Sequence, residues 1–592
     1  MTAGILIYAL EEKIVKLSEI GLLILDECHN CQGGNPYNRI MAIYRSMKLS
    51  GEDSRPQIFG MTASLSRGQA NTDIQAEENT LLLCANLDAE VISTVHSPEC
   101  LEELAEHQNV PDEAIVEAPG RRQDPFADEI KIIMKQIEGL MQNTPAFNAL
   151  VEDNPLLEIS NHHGHTAYIK WLRHTQDVAF MIVTNDKLRR KLLTCAKHLE
   201  KYNESLDINR NIRSKDALAH LENFRQDLEF NRKRFDDTDK YLVRLFDEKR
   251  NRLQEISNDP ANPNPVLMKL EAVLKKAFTP LVRTGLKRGI LFAKTRSYTA
   301  ALKRWIEETD DLKFLRPGFL TGTGNAGDRV SEIRMTQSQQ IDLLSRFREG
   351  NHQLIVATSI AQEGLDVASC NVVVRYNHTT NIVGRIQTKG RNRAKDSVYY
   401  LVVDEGLKLR DKEMMNRIGE KTMMNATKKV QKLLHESPQA VRKKILQLQK
   451  TDHHDREEKR RYEASKQEQR IKERVKFSCL ICNTFACYSD DIRCISGKHR
   501  VVVDESFTSR FETKEHERPK TLDGGVTVTK RIVCAQCSSH WGILAANFQD
   551  RELPLIQPKH FFLVGARGNR RRLKNGMKPG FRLKITMYKI MI

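Results

Sequence analysis

The sequence predicts an α/β protein: two parallel-sheet domains, the first incomplete, an all-helical segment between them, a helical bridging pair and a β-rich cysteine module at the end. Three observations carry this. Short, continuous apolar runs recur in two separate parts of the chain, as in strands covered on both faces. A long, charged stretch with apolar residues at three- and four-residue spacing divides them. Two Cys-x-x-Cys pairs, Cys479-Leu-Ile-Cys482 and Cys534-Ala-Gln-Cys537, stand far apart near the C-terminus.

Residues 1–118 form the first α/β region. Gly21 to Leu25 is an uninterrupted apolar run, and Ile58 to Ser64 is a second strand ending in small hydroxyl residues. Residues 119–255 are helical, as in Ala217-Leu-Ala-His-Leu-Glu-Asn-Phe224, and the proline-rich stretch Asp259 to Pro265 ends them. Over 266–405 strands and helices alternate again, which favours a parallel sheet. The strands are Gly289–Ala293, Gln353–Thr358, Asn371–Tyr376 and Ser397–Val403. Residues 406–475 are charged and predict long exposed helices, with 452–476 so polar that they read as a semi-flexible connector. Residues 477–565 form short strands around the cysteines. A basic tail, 566–592, closes the chain; from Lys559 onward there are ten Lys or Arg and no acid.

The formal net charge of the 592 residues is +17, which favours an anionic partner, nucleic acid first. The 12 cysteines form no dense framework, and Cys84 and Cys195 lie in apolar surroundings, as reduced core thiols do. No apolar run approaches the ~20 residues of a membrane span, and the N-terminus lacks the pattern of a signal peptide. The expected location is the cytosol. Each Cys-x-x-Cys places two thiolates on one turn, and two such turns supply the four sulfurs that tetrahedral zinc prefers. Cys479, Cys482, Cys534 and Cys537 are therefore the predicted structural zinc ligands; Cys487 and Cys494 lack the paired spacing.

Asp26-Glu27 follows five apolar residues, at the end of a buried strand. In a nucleotide motor the aspartate helps hold magnesium and the glutamate orients the water that attacks the γ-phosphate. With Thr62-Ala63-Ser64 downstream, Asp26-Glu27-Cys28-His29 resembles helicase superfamily two. Ala357 to Asp366 resembles that superfamily's fifth motif, which implies an RNA-backbone contact for Thr358 and nucleotide contacts for Gly364 and Asp366. Gln387-Thr-Lys-Gly-Arg391-Asn-Arg393 resembles the sixth, where a planar guanidinium meets the charge developing on the transferred phosphoryl group. Gln387, Arg391 and Arg393 are the residues so implicated.

Further motifs narrow the resemblance. Leu82 to Asp88, Asp124-Pro125-Phe126, His198 to Leu206, Phe292 to Arg296, Met335-Thr336-Gln337 and Cys370 to Tyr376 are similar to segments of the RIG-I-like receptors, cytosolic sensors of viral double-stranded RNA. The resemblance spans roughly residues 1–565. It implies two RecA-like halves, a helical insertion, a V-shaped helical pair over about 406–460, a motor that clasps duplex RNA through its backbone using ATP and magnesium, and a zinc domain that binds RNA duplex or ends. Thr295, Arg296 and Thr358 are then the implied phosphate contacts of the motor, and His499, Phe507, Trp541 and Lys559 those of the zinc domain. Trp541, beside Gly542, reads equally as core. Full-length receptors of the family and oligomers along RNA are further implied partners.

Departures from the family pattern accompany these matches. No Gly-x-x-x-x-Gly-Lys-Ser/Thr occurs ahead of Asp26, so the loop and lysine that cradle phosphates are missing, and weak or absent ATP hydrolysis is expected. No tandem signalling domains precede the motor, which resembles the family's regulatory member and equally a truncated sensor. Thr388-Lys389 replaces Ala-Arg, Gln557 stands where lysine is frequent, and the basic tail lies beyond the resemblance. An active RNA-stimulated ATPase and the helicase region of a Dicer-like protein are the alternatives; the zinc pairs and the lack of a ribonuclease III signature speak against the second.

Overall fold

The computed structural model describes residues 1–65, 72–95, 97–107, 111–181, 186–230, 235–261, 263–278, 287–322, 335–359, 367, 369–392, 394, 397–470, 474–495, 499–515, 521–522, 526–546, 552–565 and 570–572. It divides into two compact units. One holds Met1–Gln123, Arg210–Arg213 and Pro260–Glu458; the other holds Asp124–Asn209, Ser214–Asp259 and Lys459–Ile592. Among the described residues no helix is long and apolar enough to cross a membrane.

In the first unit, β1 (Leu22–Asp26) and β2 (Gln57–Met61) pair in parallel as a two-stranded sheet. Their buried side packs on Ile7, Ile40, Met41 and Leu83. Leu22, Ile24, Phe59 and Met61 remain exposed. A second sheet has six parallel strands: β3 (Asp112–Ala118), β4 (Gly289–Phe292), β5 (Gly318–Leu320), β6 (Leu354–Ala357), β7 (Val372–Tyr376) and β8 (Val398–Asp404), in the order β3-β8-β7-β4-β6-β5. Every residue of β4, β6 and β7 is buried, which explains the unbroken apolar runs of β4 and β6 and the three valines of β7. The chain leaves β4 for β5 and β6 on one side and resumes at β7 on the other, so the order reverses between β4 and β7.

The boundary predicted at 118 is corrected by β3, which pairs along its whole length with β8, from Asp112–Val398 to Ala118–Asp404. This segment belongs to the second sheet. Its sequence, Asp-Glu-Ala-Ile-Val-Glu-Ala, hides a strand because charges protect a sheet edge.

Two helices, Leu409–Glu436 and Pro438–Arg470, follow β8. The second is helical through most of the stretch expected to be a semi-flexible connector. Val430, Leu434, Val441 and Ile445 pack on Leu81, Cys84 and Ala85 of helix Asp73–Leu87. The N-terminal part of Leu409–Glu436 meets helix Ile382–Lys389 through charge. Arg385, 2 % exposed, donates to Glu113 of β3 (2.6 Å), to Glu420 (3.2 Å) and to the fully buried Glu413. Lys389 and Arg417 also reach Glu113, at 2.7 and 3.0 Å. Three cations thus balance three carboxylates, the condition under which buried charge is tolerated. Lys389, a departure from the family pattern, is a member of this network. Its neighbour Thr388 donates its hydroxyl to the Gly384 carbonyl.

The second unit contains the helices Pro125–Gln142, Pro145–Asp153, Thr166–Met181, Asp186–Asn211, Ser214–Phe230 and Asp237–Asn258. Asp124 caps the first, accepting from the Ala127 amide at 3.0 Å and from Asn209 at 2.8 Å. The same unit holds β9 (Lys476–Cys479), β10 (Phe485–Tyr488), β11 (Ile492–Ile495), β12 (His499–Val502), β13 (Phe511–Glu515), β14 (Thr521–Leu522), β15 (Val526–Cys534), β16 (His540–Ala546), β17 (Glu552–Ile556), β18 (Phe561–Val564) and β19 (Arg570–Arg572). They form one sheet in the order β10-β9-β18-β19 and another in the order β11-β12-β17-β16-β15-β13, with β14 beside β15. Phe477, Phe507, Ile532, Trp541 and Phe561 pack in the core they share. Gly542 is required by close approach: a Cβ there would sit 2.0 Å from the Leu555 carbonyl oxygen on β17.

This packing has three measurable consequences. Arg385→Met leaves the fully buried Glu413 without its cation and should destabilise the first unit by about 3–5 kcal/mol in chemical denaturation. Burial alone raises the Glu113 pKa, but its bonds from Lys389 and Arg385 outweigh that and hold it below the usual carboxylate range. Its stabilisation is therefore present above the unfolded pKa and lost as pH falls through the folded one, and Glu113→Gln should flatten the acid limb of a stability–pH profile. Gly542→Ala should cost the cysteine module ~3 kcal/mol, because backbone rather than a side-chain tip must yield; unchanged thermal unfolding of that module would contradict this.

Candidate metal centre and motor residues

The four predicted cysteines converge, their sulfurs lying within 4.8 Å of one another. Two equivalent turns bring them there. After β9, the Cys479 amide donates to the Thr484 carbonyl at 2.8 Å and the Asn483 amide to the Cys479 carbonyl at 3.1 Å. After β15, the Cys534 amide donates to the Ser539 carbonyl at 2.8 Å and the Ser538 amide to the Cys534 carbonyl at 2.7 Å. Asn483 and Ser538 hold matching left-handed conformations, with φ of 62° and 47°. The Sγ atoms approach across the two turns, Cys479 to Cys537 at 3.6 Å and Cys482 to Cys534 at 3.5 Å. Hydroxyls complete the cluster: Thr484 lies 3.0 Å from Cys482, and Ser539 lies 3.0 Å from Cys479 and 3.2 Å from Cys537. Bonds from the other three thiols hold the Cys479 pKa far below its ordinary value. Four sulfurs at this spacing fit one tetrahedral thiophilic cation. The hydroxyl two residues after each second cysteine was a sequence signal left unread.

Asp26 ends β1 and is exposed, and Glu27 turns the chain with a left-handed φ of 52°. The buried His29 links this turn to β2. The Thr62 hydroxyl donates to the Ser64 carbonyl at 2.9 Å, so it accepts from His29 Nδ1, also at 2.9 Å. The same Nδ1 lies 3.2 Å from Glu27 Oε2. Ser64 Oγ donates to Met423 Sδ at 3.1 Å, on helix Leu409–Glu436. Asp-Glu-x-His and Thr-Ala-Ser are thus one connected group, with His29 as the link that the sequence reading did not single out.

Gln387 lies on the helix of Arg385, and among the described residues neither atom of its amide finds a hydrogen-bond partner. The Arg391 carbonyl accepts from the Cys370 amide. Thr295 caps helix Arg296–Glu308 by accepting from the Tyr298 amide at 3.3 Å. The Thr358 amide donates to the Leu320 carbonyl. Gly364, Asp366 and Arg393 lie outside the described residues.

In the cysteine module Lys559 is partly exposed on the turn Pro558–His560, and His499 opens β12. The assignment of Phe507 and Trp541 as RNA contacts is corrected. Both are 0 % exposed and stack on each other at 5.9 Å between centroids. An aromatic at this level of burial offers no face to a base pair.

The family described as RIG-I receptor C-terminal domain matches residues 112–258, the Helicase conserved C-terminal domain matches 277–395, and the C-terminal domain of RIG-I matches 475–583. The chain is 36% identical over 561 residues to the antiviral innate immune response receptor RIG-I of Sus scrofa, covering 93% of this chain and 57% of the relative. It thus spans little more than half of that protein. It is 31% identical over 571 residues to the ATP-dependent RNA helicase DHX58 of Mus musculus, covering 94% of this chain and 78% of the relative. The endoribonuclease Dicer homolog 1 of Oryza sativa subsp. japonica is 25% identical over 442 residues, covering 69% of this chain and 22% of its own length. By sequence, domain content and thiol module alike, this chain belongs to the RIG-I-like receptor family.

Proposed function

We propose that this chain is a cytosolic sensor or regulator of innate immunity that binds viral double-stranded RNA through its sugar-phosphate backbone. The observation that carries the reading is the joining, in one chain, of the Asp-Glu-x-His group and six-stranded motor sheet to a four-thiol module. A-form duplexes present mainly phosphates and 2′-hydroxyls, which suits cationic and hydrogen-bonding side chains. Thr295, Arg296 and Thr358 take phosphates in the motor. His499 and Lys559 take them in the module, and Phe507 and Trp541 serve its core. Full-length receptors of the family are the proposed protein partners, and assembly along RNA the proposed oligomer.

Zinc is the proposed occupant of Cys479, Cys482, Cys534 and Cys537, where it supplies a fixed tetrahedral cross-link and no chemistry. Chelation at neutral pH should therefore unfold residues 477–565. Limited proteolysis reads this directly: unchanged protection of the module after chelation would refute the assignment.

Asp26, Glu27, Gln387, Arg391 and Arg393 are the proposed groups around ATP and magnesium, with Gly364 and Asp366 at the nucleotide. The 592 residues contain no Gly-x-x-x-x-Gly-Lys-Ser/Thr, and much nucleotide affinity comes from the amides of such a loop. This polypeptide should bind blunt duplex RNA yet show no RNA-stimulated ATP hydrolysis. Turnover that disappears in Glu27→Gln would overturn the second half of that statement. Binding to duplex RNA should weaken steeply with salt, the logarithmic slope being about −0.9 per phosphate contacted; a flat response would sink the backbone clasp.

A further inference from the structure

The turn that joins helices Asp186–Asn211 and Ser214–Phe230 is bonded into the first unit. Arg210–Arg213 belong to that unit, whereas the residues on either side belong to the other. A helix ends in backbone carbonyls that have no partner within it, and here side chains remote in sequence supply the partners. The Asn264 amide donates to the Arg210 and Ile212 carbonyls, at 2.9 Å each, and the Tyr376 hydroxyl donates to the Asn211 carbonyl at 2.5 Å. Asn211, Ile212, Asn264 and Tyr376 are all buried, and a buried polar network satisfied in this way is rigid.

The Asn211 side chain extends the network. Its Nδ2 donates to the Tyr298 hydroxyl at 2.7 Å, and its Oδ1 accepts from Asn377 Nδ2 at 2.5 Å. Asn377 follows β7 directly and holds a left-handed φ of 48°, a conformation that a non-glycine residue keeps only where its surroundings impose it. Bonds on two sides impose it here. The Asn377 backbone amide donates to the Val402 carbonyl at 2.8 Å and its Oδ1 accepts from the Asp404 amide at 3.0 Å, which ties it to β8. The bond to Asn211 ties it to the turn.

Asn377 also opens the loop Asn377–Asn381, which leads into helix Ile382–Lys389. At the far end of that loop the Thr380 carbonyl accepts from the Asn416 amide, and Asn381 caps the helix by accepting from the Gly384 amide, both at 2.9 Å. A loop this short, fixed at both ends, passes a shift at its entry on to the helix that follows, and that helix carries Gln387.

We infer that Asn211 is a positioning residue for helix Ile382–Lys389, so that movement of the turn Arg210–Arg213 resets the helix of Gln387 through Asn377. The work done by that helix rests on the motor reading above. The relay itself is a property of the chain without ATP or RNA, so either can fail while the other stands.

Hydrogen exchange of the full chain, read by mass spectrometry without ligand, tests the relay. Asn211→Leu removes the bond to Asn377 and keeps the Asn211 carbonyl. Should it not fold, Asn211→Ser, polar but too short to reach Asn377, takes its place. Tyr298→Phe is the control: it takes one partner from Asn211 and leaves the bond to Asn377. Amides of Ile382–Lys389 should exchange at least ~10-fold faster in the Asn211 variant, as loss of a buried hydrogen bond loosens the segment it holds. Those of β4 and β6 should keep the parent rate, and Tyr298→Phe should leave Ile382–Lys389 as in the parent. Unchanged exchange in Ile382–Lys389 overturns the relay. So does acceleration shared equally by β4 and β6, or the same acceleration in Tyr298→Phe, since either means that Asn211 only stabilises the unit as a whole.

Discussion

Arg385 holds together elements that are remote in sequence. Its partners Glu113, Glu413 and Glu420 are 272, 28 and 35 positions away, on an edge strand and a long helix. The guanidinium fork can meet several carboxylates at once, which an ammonium group cannot do with the same geometry. The network positions the helix carrying Gln387 against Leu409–Glu436, and it secures β3 at the margin of the second sheet. Apolar packing gives each sheet its bulk, whereas this charge cluster fixes how its outer pieces are seated.

Leu409–Glu436 gains a second attachment from the Asp-Glu-x-His group. The chain of contacts from Glu27 through His29, Thr62 and Ser64 ends on Met423. One helix therefore touches the Asp-Glu-x-His group through a thioether and the Arg385 helix through carboxylates. The two contacts differ in stiffness: a thioether slides and re-packs readily, while the buried ion pairs tolerate little change in geometry.

Much of this was legible in the sequence. β4 and β6 could be read because a strand buried on both faces is apolar throughout, and β7 because three consecutive valines outweigh its one arginine. The thiol cluster could be read because two residues of spacing set both ligand distance and turn type. β3 could not, since a charged edge strand looks like a loop until its partner β8 is known. Phe507 and Trp541 were ambiguous for a different reason: aromatic side chains serve a core and a binding face equally well, and only packing decides. Arg385 was invisible because its meaning lies in carboxylates that sequence distance conceals.

The paired thiol turns also bear on chain entropy. Cys482 and Cys534 are separated by 52 positions, and the segment between them carries β10 through β15. A cation shared by both turns closes that segment into a loop, as a disulfide would, and closing a loop of this length removes about 4 kcal/mol of conformational freedom from the unfolded chain. Unlike a disulfide, such a closure persists in a reducing compartment and is governed by metal availability. With such an ion bound, the module's persistence would be tied to the local supply of a thiophilic metal rather than to redox state.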